Sequence, residues 1–549
     1  MQDETEAVQP KRAPNALTEA FLWTALSIGL RLLLLPPMKY LYVGYDGAHF
    51  ASMARDMARG HFLDALSAYW QPLYPSLVAF ASFFARDTEL AAHLTSVFFG
   101  GALVFPCFLF GNELFGRNQA RLASFFVMIH SSLLMESREV LTEPVFSFFL
   151  TLTIWFFWKG AVRKNGGFYQ FIAGLFGGLS YLARAQGIVG VAVLAFLLLA
   201  WREKPFSRRL KSILGFAVGF LLLASPYIFY LKNATGRFTF STTLSANAFL
   251  AEARENGLES VAQLGLTPGQ DATFVDAYYF GKGEKIADYG LAAFFARNPG
   301  RALKRLVHEG AKAHGFLPHL LPPVVFLLFC LGIVGALYGG KEKRLAVCLA
   351  FFVGGAHVLS YAAVYVYFAR YLSPLLPFLL LFAASGYEEA VRFVGEKSGR
   401  KHAMSGLIFI LCVLSLGQAA VQETSFKLHR SPYAAPPLQK EAGLWIRNNL
   451  GQGLNIMSRK PGLAFYADGK PVSLPIADSR TSLEYAERRN VDLIAISSSD
   501  EIDEMYLPPG ARTGILSLSK AKPLPENIVF LKSWKDSQDR WLDLYRFSK

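Results

Sequence analysis

Charged side chains are scarce in this chain. Only 17% of its 549 residues are Asp, Glu, Lys or Arg, against 53% hydrophobic, too few to solvate the surface of a soluble protein. Cysteine is scarcer. The four thiols, Cys107, Cys330, Cys348 and Cys412, all lie inside apolar runs, which argues against disulfides outside the membrane and against a zinc knuckle. The formal net charge of +14 comes without the basic and aromatic groove pattern of a nucleic-acid binder, so no nucleic-acid partner is expected. No repeat or low-complexity segment stands out. No small-residue cleavage pattern follows the first apolar run either, so the polar N-terminus is expected to be a retained cytoplasmic head.

What the chain has instead is apolar length, including 48 Phe. A bilayer core of about 30 Å needs about 20 apolar residues per helix. Runs of that kind fall near 17–36, 90–110, 119–136, 141–158, 168–183, 187–201, 212–231, 318–338, 345–364, 371–391 and 404–422, about eleven in all. PLYPSLVAFASFFA, 72–85, is too short to count as a twelfth. Lys and Arg in short connections stay on the cytoplasmic side. The clusters Lys11–Arg12, Arg117 and Arg121, Lys159–Lys164, Arg202–Lys211, Lys341–Arg344 and Arg392–Lys401 alternate so that eleven spans put every one of them inside. The same count places the Asp46 loop, the turn from Arg138 to Glu143, the Arg184 turn, residues 232–317, the Arg370 turn and the C-terminal tail outside.

Two regions lie off the membrane. The external loop 232–317 contains NPGRALKRLVHEGAKAH, where Pro299 opens a helix with Ala302, Leu303, Leu306 and Val307 set against Arg301, Lys304 and Arg305; it is expected to lie in the interface. From 425 the chain turns Pro-rich and then soluble in pattern. EAGLWIRNNL and SLEYAERR read as helices, and LNIMSRK, VDLIAIS, IVFLKSW and WLDLYRF as strands, which gives a small periplasmic α/β domain over 425–549. Residues 1–424 then form the transmembrane part, with external loops 38–88 and 232–317.

Ionisable groups at the ends of apolar runs are costly near membrane depth unless they serve a site. Asp46, in YDG, is either an Asx turn capping a helix that begins near His49 or a carboxylate free to take a proton from an attacking group. Glu143 follows Thr142 and precedes Pro144 at the mouth of an apolar helix. It is either part of ordinary N-terminal capping chemistry or a site residue, and it cannot face lipid. Arg184 and Arg370 close and open spans; either alone reads as a snorkelling anchor, and together they can take a phosphate. Trp70 and Tyr74 read as an interfacial aromatic rim. His308, His314 and His319 match no metal spacing and read as interfacial residues.

In this order the residues resemble the GT-C type of membrane glycosyltransferase, in particular the dolichyl-phosphate-mannose protein mannosyltransferases and the bacterial aminoarabinose transferase kin. The matching features are Asp46 in the first external loop, the PLYP motif at Pro72–Pro75, Glu143 before Pro, and Arg184 after a span. They continue with Arg370-Tyr371 before Pro374 and Pro377, and the trailing α/β domain. The resemblance implies a polytopic α-helical GT-C fold and transfer of a sugar, with inversion, from a polyprenyl-phosphate donor to a lipid, glycan or protein acceptor at the periplasmic face of the inner membrane. It carries the catalytic base to Asp46, the second acidic position to Glu143, and the donor-phosphate contacts to Arg184 and Arg370, with Arg138 and Tyr371 beside them. No cofactor is evident, and no motif supports a divalent metal.

Two departures qualify the match. Glu143 stands where many relatives show Asp, and Gln71 stands where the lipid A-modifying branch shows Lys, which argues against simple transfer of aminoarabinose onto lipid A. A transporter or flippase for a lipid-linked sugar is the competing reading; it predicts inverted repeats and broken spans with ionisable groups near the midplane.

Overall fold

The computed structural model describes residues 15–38, 41–163, 166–200, 205–243, 296, 299–363, 369–398, 400–430, 437–475, 479–498, 523–536 and 539–548. The expected N-terminal head, most of the expected loop 232–317 and most of SPYAAPPL therefore lie outside the described residues.

The first part of the chain is helical. It runs through α1 (Ala16–Leu33), α2 (Tyr45–Ala58), α3 (Leu73–Ala85), α4 (Thr88–Ala102), α5 (Val104–Leu114), α6 (Arg117–Ile129), α7 (Ser131–Glu136), α8 (Glu143–Val162), α9 (Gly167–Ala183), α10 (Gly187–Ala200) and α11 (Phe206–Thr235). After the undescribed stretch come α12 (Pro299–Leu320), α13 (Pro323–Leu337), α14 (Lys341–Ala362), α15 (Leu376–Ser398) and α16 (Lys401–Arg430).

Six of the described helices are long and apolar enough to cross a membrane, counting α4 and α5 as one span, and seven if α12 and α13 make one broken span. The chain is thus a multi-span membrane protein. The eleven expected runs exceed that number because several shorten or break. α10 is apolar but short, and the run at 119–136 divides at His130 into α6 and α7; α3, left out of the eleven as too short, is indeed short. The run at 318–338 loses its first turn to α12. Pro322 and Pro323 end one helix and start the next, and the two axes differ by 104°. α12 does begin at Pro299, and it leaves Leu303 and Val307 exposed while burying Ala302 and Ala313.

The helix order gives the bundle two chemically distinct ends. At one end the basic clusters meet acids: Arg117 and Arg121 hold Glu19 of α1, and Lys159 of α8 holds Glu113 of α5 at 2.8 Å. At the other end α8 begins, α9 finishes, and α4 presents its first turn.

The α/β domain sits at this second end. α16 runs to Arg430, past the expected boundary at 424, because no Gly or Pro interrupts it there. The domain opens with α17 (Pro437–Asn449), followed by β1 (Asn455–Ser458), α18 (Gly462–Tyr466), β2 (Lys470–Ser473), α19 (Ser479–Arg488), β3 (Leu493–Ser497), β4 (Ile528–Lys535) and β5 (Trp541–Phe547). The strand order is β2-β1-β3-β5-β4, with β1 parallel to β2 and β3, and β5 antiparallel to β3 and β4. Alternation along β3 sends Leu493 and Ala495 to a core under α17 and α18, and Ile494 and Ile496 to a core under α19.

Candidate active site

Two glycines bring the first loop to the second acid. Gly44 precedes α2 with φ +67 and ψ −177, backbone that only glycine adopts without strain, so the chain turns sharply into the helix carrying Asp46. At Gly47 a Cβ would lie 2.8 Å from Val140 Cβ and 2.9 Å from its carbonyl oxygen, so a side chain there would hold α2 off the 137–142 turn. With glycine the two pack, and Asp46 comes within reach of Glu143. The helix begins at Tyr45, four residues earlier than the Asx-turn reading requires, and the Asp46 carboxylate turns away from its own backbone towards Arg370.

Glu143 stands at the first residue of α8, with Pro144 taking a place where no backbone N–H is needed. Arg184 follows α9 in extended conformation, which directs its side chain back across α8. Its Nη1 lies 2.8 Å from Glu143 Oε1 and donates to Thr142 Oγ1 at 2.9 Å, and its Nη2 donates to Tyr361 Oη at 3.2 Å. Thr142 is thus an acceptor for arginine and not a cap. Arg370 lies in a single 3-10 turn, Ala369–Tyr371. That turn is fastened by the Ser373 hydroxyl donating to the Arg370 carbonyl at 2.8 Å and by a 2.8 Å hydrogen bond between His357 Nε2 and the Tyr371 carbonyl. Arg370 Nη2 then donates to Asp46 Oδ2 at 2.8 Å, and its Nε lies 3.6 Å from Glu143 Oε1.

The result is a chain of alternating charge, Asp46–Arg370–Glu143–Arg184, assembled from four separate segments. Its two acids differ. The Glu143 side chain is 2% exposed, whereas that of Asp46 is 30% exposed and opens on a cavity of about 140 Å³. Tyr361 and Tyr371 stack at 4.8 Å between the arginines, and both guanidinium groups lie over the Tyr371 ring, at 5.7 Å for Arg184 and 5.4 Å for Arg370.

Opposite the charges is an aromatic wall of Phe50, Tyr69 and Trp70, with Gln71, Gln186 and Thr243 also on the lining. His49 stacks behind Trp70 at 5.3 Å. Burial pushes its imidazole down to about 4, against the pull of the Asp46 carboxylate, so at neutral pH it supports the wall without adding charge. Hydroxyl groups from elsewhere hold the wall's backbone: Tyr230, Tyr227, Thr242 and Thr243 donate to the carbonyls of Leu66, Ser67, Ala68 and Tyr69 at 2.6–2.8 Å.

Of the residues singled out from sequence, Asp46, Glu143, Arg184, Arg370 and Tyr371 line this cavity. Arg138 does not. It sits one turn away, where its carbonyl accepts a 2.8 Å hydrogen bond at His93 Nδ1, because Glu139 and Val140 continue the chain past it before α8 begins. His308, His314 and His319 do not line the cavity either, and among the described residues no group of three or more His, Cys, Asp or Glu is placed to hold a metal. Tyr361, Gln186 and Thr243 were not legible beforehand. Tyr361 ends an apolar helix like any interfacial tyrosine, and only its distance to Arg184 distinguishes it.

Residues 71–230, from Gln71 into α11, match the family described as dolichyl-phosphate-mannose-protein mannosyltransferase. That stretch contains Glu143 and Arg184 but neither Asp46 nor Arg370. No curated protein sequence matches the chain. Among solved structures, ArnT from Cupriavidus metallidurans bound to undecaprenyl phosphate is similar over 96% of this chain and 98% of its own, with a TM-score of 0.57 at 13% identity. The oligosaccharyltransferase AglB from Archaeoglobus fulgidus, in complex with an inhibitory peptide and a dolichol-phosphate, is similar over 87% of this chain and 69% of its own, with a TM-score of 0.59 at 15% identity. The chain therefore has the fold of the GT-C membrane glycosyltransferases, the type its own residues resemble.

Proposed function

We propose that the chain is an inverting glycosyltransferase that moves a sugar from a polyprenyl-phosphate carrier to an acceptor at the periplasmic face of a bacterial inner membrane. The observation that carries this reading is the Asp46–Arg370–Glu143–Arg184 array at the cavity, one exposed acid and one buried acid sharing a pair of arginines. The solved relatives hold dolichol-phosphate and undecaprenyl phosphate.

Glu143 is enclosed and held by Arg184, so it keeps the second arginine in place and is a poor nucleophile. Of the two carboxylates on the described lining, Asp46 is the one open to an acceptor. Among the described residues the lining offers no second exposed carboxylate for a covalent intermediate, and in this reading the acceptor attacks the anomeric carbon directly, which inverts it. In that step Asp46 takes the proton from the acceptor O–H or N–H as the new bond to the anomeric carbon forms. The bond from that carbon to the phosphate oxygen breaks, and the polyprenyl phosphate leaves with one more negative charge, which Arg370 and Arg184 offset. Arg370 Nη2 donates to Asp46 Oδ2, and a donor phosphate that competes for this guanidinium releases the carboxylate to act as base. The sidedness rests on the basic clusters at the opposite end of the bundle, which mark the cytoplasmic end.

Purified full-length protein, given a panel of undecaprenyl-phosphate sugars and acceptors, should release undecaprenyl phosphate with one of them. Asp46→Asn should abolish release while the protein still inserts and purifies. Near-normal turnover by that variant would remove Asp46 as the base. Movement of a lipid-linked sugar across sealed vesicles without its consumption would favour a flippase instead.

A further inference from the structure

The α/β domain grips the chain on both sides of Asp46. Upstream, Lys440 of α17 donates to the carbonyls of Leu41, at 2.9 Å, and Met38, at 3.4 Å. The Tyr42 hydroxyl donates to Gln439 Oε1 at 2.9 Å, and the Val43 N–H donates to the Tyr466 hydroxyl at 3.1 Å. Tyr466 in turn donates to Glu89 of α4 at 2.5 Å, and Lys440 holds the other oxygen of the same carboxylate at 2.7 Å. Downstream, the Asp468 carboxylate takes Arg55 on one oxygen and Arg59 on the other, each at 2.8 Å, and Arg55 also donates to the Phe465 carbonyl at 2.9 Å. Arg55 lies in the last turn of α2 and Arg59 caps it, and Asp46 lies in its first. Lys460 lies over the ring of Tyr45, 5.0 Å from its centre, next to Asp46 itself.

Apart from those to Glu89, these contacts fall at Met38, Leu41–Val43, Tyr45, Arg55 and Arg59, which flank the proposed base and, of the cavity lining, only Phe50 beside it. The chain enters α2 from the first of these contacts through Gly44, whose positive φ needs glycine's backbone freedom. We infer that the α/β domain positions the Asp46 carboxylate, with Tyr466 and Asp468 as its positioning residues, so that seating of the domain sets whether Asp46 can meet Arg370 and an acceptor. This rests on the proposed role of Asp46 as base. The domain thus has a part in the chemistry through residues that hold the chain on either side of Asp46.

The test uses Tyr466→Phe and Asp468→Asn in the full-length protein, with two readouts. Hydrogen exchange over 41–50 should accelerate in both variants while exchange over 143–150 stays as in the wild type. Turnover at saturating donor should fall by about ten- to a hundredfold, the scale expected for a displaced catalytic group, with donor KM within about twofold of wild type. Asp468→Glu should recover part of the turnover. Unchanged exchange over 41–50 would overturn the inference, as would faster exchange with undiminished turnover. A wild-type chain that transfers nothing, yet shows the exchange change in the variants, would support the grip on α2 while removing the role assigned to Asp46.

Discussion

The helical body and the α/β domain obey opposite rules with the same alphabet. In the body, large apolar side chains such as Leu26, Phe83, Leu222 and Phe352 are exposed, and charge is inside. Arg31 of α1 is fully buried, its guanidinium donating to the hydroxyls of Ser27 at 2.6 Å and Ser137 at 3.0 Å and to the carbonyls of Val127 and Met128. In the domain the apolar residues of β1 and β3 are inside, and ion pairs such as Arg480–Glu484 and Lys535–Asp539 lie at the surface. The difference is that of solvent. Lipid imposes no cost on exposed leucine and a large one on charge, so an ionised group within a span, such as Arg31, is surrounded by protein.

The largest effects should come from breaking the interior charge. Glu143→Ala leaves Arg184 without its anion, and we expect a loss of about 3–5 kcal/mol in stability by the usual scale for a broken buried pair, read as a lowered melting temperature in detergent. The surface pair offers the control: Arg480→Ala in the domain should leave the melting temperature unchanged. A body that tolerated Glu143→Ala equally well would mean that the array is not sealed.

Next in size is a pair of substitutions matched in exposure. Leu222 of α11 is 60% exposed and Val529 of β4 is 51% exposed. Arginine at Leu222 meets lipid and should cost about 2.5–3.5 kcal/mol on insertion, seen as a fall in membrane-inserted protein. Arginine at Val529 meets water and should leave yield and melting unaltered. Equal outcomes would collapse the contrast between the two regions.

The smallest effect lies where the regions meet. Burial pushes Asp468 up, but the Arg59 hydrogen bond and the charges of Arg55 and Arg59 outweigh it and hold the carboxyl below its ordinary 3.8. A lowered folded value means that the contribution of Asp468 is full above pH 3.8 and is lost as pH falls through the lowered value. The difference in melting temperature between the wild type and Asp468→Asn should therefore be constant from neutral pH down to about 4 and shrink below it. A difference that instead shrank between pH 8 and 6 would place the coupling on another group.

The two regions also differ in how far the sequence discloses them. In the domain, every predicted helix and strand forms close to where its pattern lies, from EAGLWIRNNL in α17 to WLDLYRF in β5, because a sheet between two helical layers stamps its alternation on each strand. In the body, apolar runs locate the helices but not their breaks. The run at 119–136 contains no proline, and it divides at His130, whose ring hydrogen-bonds the Leu320 carbonyl, a partner 190 positions away.

The site follows the same division. Charges at the ends of apolar runs already single out Asp46, Glu143, Arg184 and Arg370, since a membrane leaves such groups few reasons to exist. One-dimensional order could not separate Arg138, which misses the cavity, from its neighbours. Nor could it show Tyr361 beneath Arg184, or Tyr466 and Asp468 bracing α2 from more than 400 positions along the chain. What the sequence determined by itself is what local pattern and solvent impose: a multi-span helical body, a water-facing α/β domain, and a small set of charges with no place in lipid. Tertiary structure alone decided which acid is sealed and which is open, because that depends on how closely α2 meets the 137–142 turn through Gly47 and on which arginine reaches across four segments to share its charge.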